Sequence, residues 1–97
     1  MSELQVIARY TISAGKQDEV LELLSTLAEA SRNEPGNVAF VIYRQFDDDR
    51  KIVLLERYTS RDAFAAHRET LHFDDLVLKQ LIPLLDSREI ESYDVPD

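Results

Sequence analysis

The chain has no cysteine, and only two glycines and three prolines among 97 residues. Without cysteine there is no disulfide framework, no thiolate nucleophile and no cysteine-ligated zinc or iron–sulfur cluster, which fits a reducing compartment. Sparse glycine and proline, with 44% hydrophobic and 31% charged residues, exclude collagen-like and disordered chains and imply one globular domain over 1–97. Positive charge is also scarce. Eleven Lys and Arg against nineteen Asp and Glu leave a formal net charge of -8, so phosphate backbones and anionic lipid are repelled and neither nucleic acid nor membrane is an expected partner. No stretch approaches the roughly 18 apolar residues of a membrane span. The opening Ser2-Glu3-Leu4-Gln5 has no leader character, so the expected location is the cytoplasm. Glycine-rich phosphate loops and Gly-x-Ser-x-Gly elbows are missing, which removes nucleotide and α/β-hydrolase readings.

What is present is periodicity. Leu4, Val6, Ala8, Tyr10 and Ile12 alternate with Gln5, Ile7, Arg9 and Thr11, the period of a strand. Val20, Leu23, Leu24, Leu27 and Ala28 then recur at helical steps, and Glu34-Pro35-Gly36 stops that helix near Arg32-Asn33. Val38 to Gln45 and Lys51 to Tyr58 read as two strands of a hairpin around the polar Phe46–Arg50 segment. Thr59 and Ser60 offer a cap, with Asp62 placed for a capping box, to a helical region from Arg61 to about Leu81. Its apolar stripe is Phe64, His67, Leu71, Phe73, Leu76, Val77 and Leu81, with an irregularity expected around Thr70-Leu71. Pro83 ends it, and Arg88 to Val95 carries a last, weaker strand signal. Strand, helix, strand, strand, helix, strand is the βαββαβ order of a ferredoxin-like α+β domain, a four-stranded antiparallel sheet with both helices on one face.

A chain of this length buries only roughly 60–70% of its unfolded surface, so the core is thin. The opposite phase of the strands is also apolar, with Ile7, Val41, Tyr43, Val53 and Leu55 on the face away from the helices. Such a patch on a small protein predicts a partner, and a homodimer packed sheet on sheet is the expected form.

Glu56 shares its strand face with Ile52, Leu54 and Tyr58, so an acid lies in line with core residues. Either it pairs with Arg44 or Arg9, or it orients a histidine or a substrate hydroxyl at a pocket rim. His67 lies on the apolar helical stripe and His72 follows five residues later; both could reach one cavity between helix and sheet. Five is a poor spacing for two ligands on one face of a regular helix, so no metal is expected. Imidazoles there suit proton transfer from a phenol or weakly acidic carbon. Tyr10, Phe40, Tyr58, Phe64 and Phe73 are expected in the same space, as an aromatic-lined cavity or as ordinary core. Asp47-Asp48-Asp49 lacks the glycine and distal glutamate of a calcium loop and reads as a solvated turn.

Three segments, Glu34-Pro35-Gly36-Asn37-Val38, Val53-Leu54-Leu55-Glu56-Arg57-Tyr58 and Ser60 to Phe73 with its Ala-Phe-x-x-His-x-x-Thr-x-His-Phe pattern, closely resemble the antibiotic biosynthesis monooxygenase (ABM) domain family. The resemblance covers nearly the whole chain and implies a dimeric α+β barrel with a pocket. It implies a cofactor-independent monooxygenase that binds a quinol or polycyclic phenol in a dry pocket, assists its deprotonation and lets the anion reduce dioxygen, with no flavin or metal. Residue by residue, it implies His67 or His72 as base, Tyr58 as substrate hydrogen-bond partner and Glu56 as orienter. Tyr10, Phe40, Phe64, Phe73 and Arg44 would then contact the substrate.

Relatives with other activities set the alternatives. In the heme-degrading branch the strand-one asparagine, helical tryptophan and histidine ligand correspond here to Ala8, His67 and Val77, so heme is not expected. The branch that processes a phosphorylated autoinducer shares the Glu-x-Tyr and His-x-x-Thr-x-His pattern. An isomerase acting on a small phosphorylated dione, which would want Arg9, Arg44 or Arg57 in the pocket, is therefore the alternative. A dimer that binds a small ligand without catalysis is the third reading.

Overall fold

The computed structural model describes residues 2–96. Four strands, β1 (Glu3–Ile12), β2 (Asn37–Arg44), β3 (Lys51–Tyr58) and β4 (Leu85–Val95), form one antiparallel sheet in the order β2-β3-β1-β4. Helix α1 (Gln17–Arg32) connects β1 to β2, and helix α2 (Arg61–Arg68) follows β3. This is the ferredoxin-like βαββαβ arrangement.

The alternation expected of β1 is realised: Leu4, Val6, Ala8, Tyr10 and Ile12 are buried under the helices. α1 lays Val20, Leu24, Leu27 and Ala28 on that face, with Asp18 and Glu19 in its first turn and Arg32 in its last, each favourable to the helix dipole. Arg32 then reaches back to donate two hydrogen bonds to the Phe40 carbonyl, at 3.0 and 2.7 Å, tying the end of α1 to β2. Gly36, in the turn that follows, is needed for space. A Cβ there would lie 2.4 Å from the Ala63 Cβ, because α2 packs directly on this turn.

Four expectations are corrected. β4 begins at Leu85, not Arg88: backbone pairing with β1 continues past the point where the hydrophobic pattern fades. The cap of α2 is the Ser60 hydroxyl, which accepts from the Ala63 amide at 3.1 Å; Asp62 closes no capping box. The helical region after Arg61 is not continuous. α2 ends at Arg68, a turn spans Glu69–Thr70, and the chain re-enters as a π-helix over Phe73–Leu81, followed by a 3₁₀ turn containing Pro83. Thr70 makes the junction, its hydroxyl donating to the His67 carbonyl (2.8 Å) and accepting from the Phe73 amide (3.1 Å). Finally, Leu71 is not core. The turn re-aims it into solvent, 88% exposed, while Phe73, Val77 and Leu81 are buried.

The apolar interior divides in two. The larger cluster joins α1, the π-helix and the sheet; the smaller one is Leu4, Val6 and Tyr58, with Ala63 and Phe64 of α2 against them. Glu56 and His67, the buried acid and imidazole among the described residues, are 5% and 3% exposed. On the far face of the sheet Val41, Leu55 and Ile7 form a cross-strand row beside Tyr43 and Val53. Val41 and Tyr43 are exposed and the other three half-buried.

Candidate active site

Two residues apart on β3, Glu56 and Tyr58 point to the same face, and the Tyr58 hydroxyl donates to Glu56 Oε1 at 2.5 Å. α2 brings His67 over them, with its Nε2 3.9 Å from the same Glu56 oxygen. The imidazole is packed among Phe40, Tyr58, Phe64 and Phe73, with ring centroids 5.3 to 6.2 Å away.

The opposite edge of the imidazole is held by a residue to which the sequence pattern gives no part in the site. Glu34 Oε2 accepts from His67 Nδ1 at 2.8 Å and from His72 Nε2 at 2.6 Å. A carboxylate is an acceptor, so the hydrogen of a neutral His67 sits on Nδ1 and its Nε2 lone pair is bare toward Glu56. Burial holds the His67 pKa below its usual value, against the opposing pull of Glu34, so the neutral form prevails near pH 7. The turn at Thr70 lets a five-residue spacing converge on one oxygen. Glu34, His67 and His72 present ligand atoms within 4.8 Å of one another. They are donor types that hold transition metals, yet both imidazole nitrogens already lie at hydrogen-bond distance from the carboxylate.

Glu56 has the opposite character from a surface acid. Burial raises its pKa to about 7, with the Tyr58 hydrogen bond and the Arg88 charge pulling the other way. It therefore changes protonation where most biochemistry occurs. Tyr58 is pushed far up, by burial first and by Glu56 second, and stays a neutral donor. Tyr10 is raised to about 12, again chiefly by burial.

A cavity of about 100 Å3 lies between the sheet and α2. Glu56 and His67 line it together with Tyr10, Phe40, Phe64 and Phe73, and Arg68 and Arg88 line it as well. Six of the nine expected site residues are thus brought together. Tyr58 lies behind Glu56, fully buried and outside the lining; His72 lies behind His67 on Glu34, also outside it. Arg44 is exposed at the end of β2, where it pairs with Ile52, four residues along β3 from Glu56. The expected ion pair of Glu56 with Arg44 or Arg9 is replaced by the contacts to Tyr58 and His67, and Arg9 pairs with Glu91 on the far side of the sheet. The triple-aspartate segment is a turn, with Asp48 Oδ1 accepting from the Arg50 amide at 3.0 Å.

The antibiotic biosynthesis monooxygenase family model matches residues 4–78, and the chain belongs to that family. Its fold is that of a candidate antibiotic biosynthesis monooxygenase from Nitrosomonas europaea, with TM-score 0.92, 27% identity, and 97% of this chain and 90% of that one covered. Rv0793 from Mycobacterium tuberculosis is similar, with TM-score 0.91, 28% identity, and 99% and 97% covered. In sequence the chain is 31% identical over 64 residues to YcnE of Bacillus subtilis, named as a candidate monooxygenase, covering 66% of this chain and 67% of that protein. It is 27% identical over 92 residues to an uncharacterized Synechocystis protein, of which it spans 63%. Family membership supports monooxygenase-like chemistry in general terms. No helix among the described residues is long and apolar enough to cross a membrane.

Proposed function

We propose that this cavity takes a proton from a small quinol or phenol and lets the resulting anion react directly with dioxygen. The observation that carries the reading is the pairing of a bare His67 Nε2 with a Glu56 carboxyl of pKa about 7 inside an aromatic-walled cavity. His67 is the base and Glu56 the acid that returns the proton to reduced oxygen, with Tyr58 orienting Glu56. For a quinol the balance is internal. One oxygen atom enters the ring to give a hydroxyquinone, the other leaves as water, and the substrate supplies all four electrons.

Size narrows the substrate. An apolar cavity of roughly 150 Å3 takes up one benzene ring, so about 100 Å3 with an open mouth favours a single ring over fused ones. An oxygen electrode should record uptake with hydroquinone, one dioxygen per quinol consumed. No uptake across a panel of quinols and phenols would overturn the reading. The alternative, proton transfer within a small phosphorylated dione, uses the same pair and gains support from the two arginines lining the cavity. It runs without dioxygen, so turnover of such a substrate in an anaerobic cell would select it.

We also propose that the protein works as a homodimer through the outer sheet face, where Val41, Leu55 and Ile7 adjoin with no element of the described residues packed over them. Proteins of this family are typically dimers that bind small ligands. Leu55→Asp should convert a particle of twice the chain's mass to a monomer in sedimentation, and a monomeric wild type at micromolar concentration would remove the proposal.

A further inference from the structure

We propose that the substrate of this cavity is a small amphipathic anion, whose carboxylate or phosphate monoester is held between Arg68 and Arg88 while its hydroxyl or carbonyl end reaches Glu56 and His67. The proposal rests on the acid–base reading above and adds the charge of the substrate.

Cations are scarce in a chain of net charge -8, and four arginines already have carboxylate partners: Arg9 with Glu91, Arg50 with Asp86, Arg57 with Glu3 and Arg61 with Asp94. Arg68 and Arg88 differ. Both border the cavity, and among the described residues neither has a carboxylate within 4 Å. They come from different elements, α2 and β4, and each is placed by the fold. The Arg68 guanidinium lies 4.8 Å from the centroid of the Phe64 ring, itself a cavity wall. Arg88 stands opposite Tyr10 in the β1–β4 register, which puts it on the helix-facing side of the sheet.

Both guanidiniums are exposed at the cavity rim without a carboxylate partner, Arg88 beside the Tyr10 hydroxyl, and each is a planar fork of donors that suits a carboxylate or phosphate. The anion belongs beside the two guanidiniums, whose charge offsets the repulsion of an ionised Glu56. The rings of Tyr10, Phe40, Phe64 and Phe73 line the same cavity. The cavity thus combines two cationic groups, apolar walls and an acid–base pair, and a ligand that satisfies all three is an amphipathic anion.

The test is binding, measured by calorimetry at low ionic strength with two probe pairs: 2,5-dihydroxybenzoate against hydroquinone, and phenyl phosphate against phenol. Wild type should bind the charged member of at least one pair about tenfold or more tightly than the neutral one, as a charge-assisted hydrogen bond implies. The preferred pair tells carboxylate from phosphate. Arg88→Gln should lose most of that preference, and Arg68→Gln combined with it should lose the rest. Arg88→Gln is the cleaner variant, since Arg68 also packs on Phe64, and thermal melts show that each variant is folded. Equal binding of charged and neutral probes, or a preference that survives the double substitution, would overturn the proposal. Oxygen uptake separates the two readings: charge preference with no uptake by any quinol removes the oxidation and leaves the anion site standing.

Discussion

His67→Asn is expected to lower quinol-dependent oxygen uptake by roughly 10²- to 10⁴-fold, the range for removing a positioned general base. Asparagine is chosen because its side-chain amide can still donate toward Glu34 in place of His67 Nδ1, which now makes that bond at 2.8 Å. It has nothing to replace the Nε2 lone pair that faces Glu56 at 3.9 Å. The ring's contacts with four aromatic neighbours are lost, and the variant should be less stable by about 1–3 kcal/mol while remaining folded. His72→Asn is the control. His72 bonds the same glutamate but does not line the cavity, so its loss should change the rate far less. Equal losses in the two variants would mean that the histidines serve the fold and not the proton transfer.

Glu56→Gln should move stability and activity in opposite directions, and the effect should depend on pH. The folded-state pKa of Glu56 is raised from 4.5 to about 7, mainly by burial, so the folded protein holds this proton more tightly than the unfolded chain does. Stability from that proton is fully present at low pH and is lost as pH rises through about 7. A neutral glutamine escapes the loss. Its carbonyl still accepts the Tyr58 hydrogen bond, and its amide can approach His67 Nε2. In denaturant titrations Glu56→Gln should match wild type near pH 5 and exceed it by roughly 1–3 kcal/mol at pH 8. His67, whose pKa is lowered, adds stability as pH rises through the acid range in both proteins, so it cancels in the comparison. Turnover should fall about 10²-fold, and the alkaline limb near pH 7 in the wild-type rate profile should vanish, because glutamine has no proton to lose. A variant that is destabilised equally at both pH values would show that Glu56 is ionised in the folded protein.

The fold was legible because its elements obey simple periods. β1 alternates over its whole length, α1 carries a stripe between clear stop signals, and the strand phases foretold both the core face and the bare face. Glu56, His67 and four aromatic residues were legible for the same reason, as polar or bulky side chains in phase with the core. The misreadings have two causes, contacts between residues distant in sequence and the local turn at Thr70. Glu34 sits 33 and 38 residues from its two histidines, and in the sequence it reads as the first residue of a helix-stopping turn. The pairing of Asn37 with Tyr58 and the bond from the Thr59 amide to the Gly36 carbonyl bring that turn beside α2. A clue was available in Gly36, a glycine next to proline whose smallness permits the close approach of Ala63. On a regular helix the five-residue spacing would keep His72 off the face of His67, and the Thr70 turn makes that geometry irrelevant. Arg88 lay at the expected start of β4, and only the register with Tyr10 shows that it faces the cavity, where Arg44 does not.

Everything proposed for the chemistry depends on which nitrogen of His67 carries its hydrogen. The direct measurement is the ¹⁵N spectrum of the histidine side chains in the resting protein near pH 7.5, with His67 assigned by comparison with His67→Asn. Protonated Nδ1 and unprotonated Nε2 on a single neutral tautomer is the expected result, and Glu34→Gln should disturb it. A protonated Nε2, or a His67 signal averaged over both tautomers, would contradict the assignment of His67 as the base.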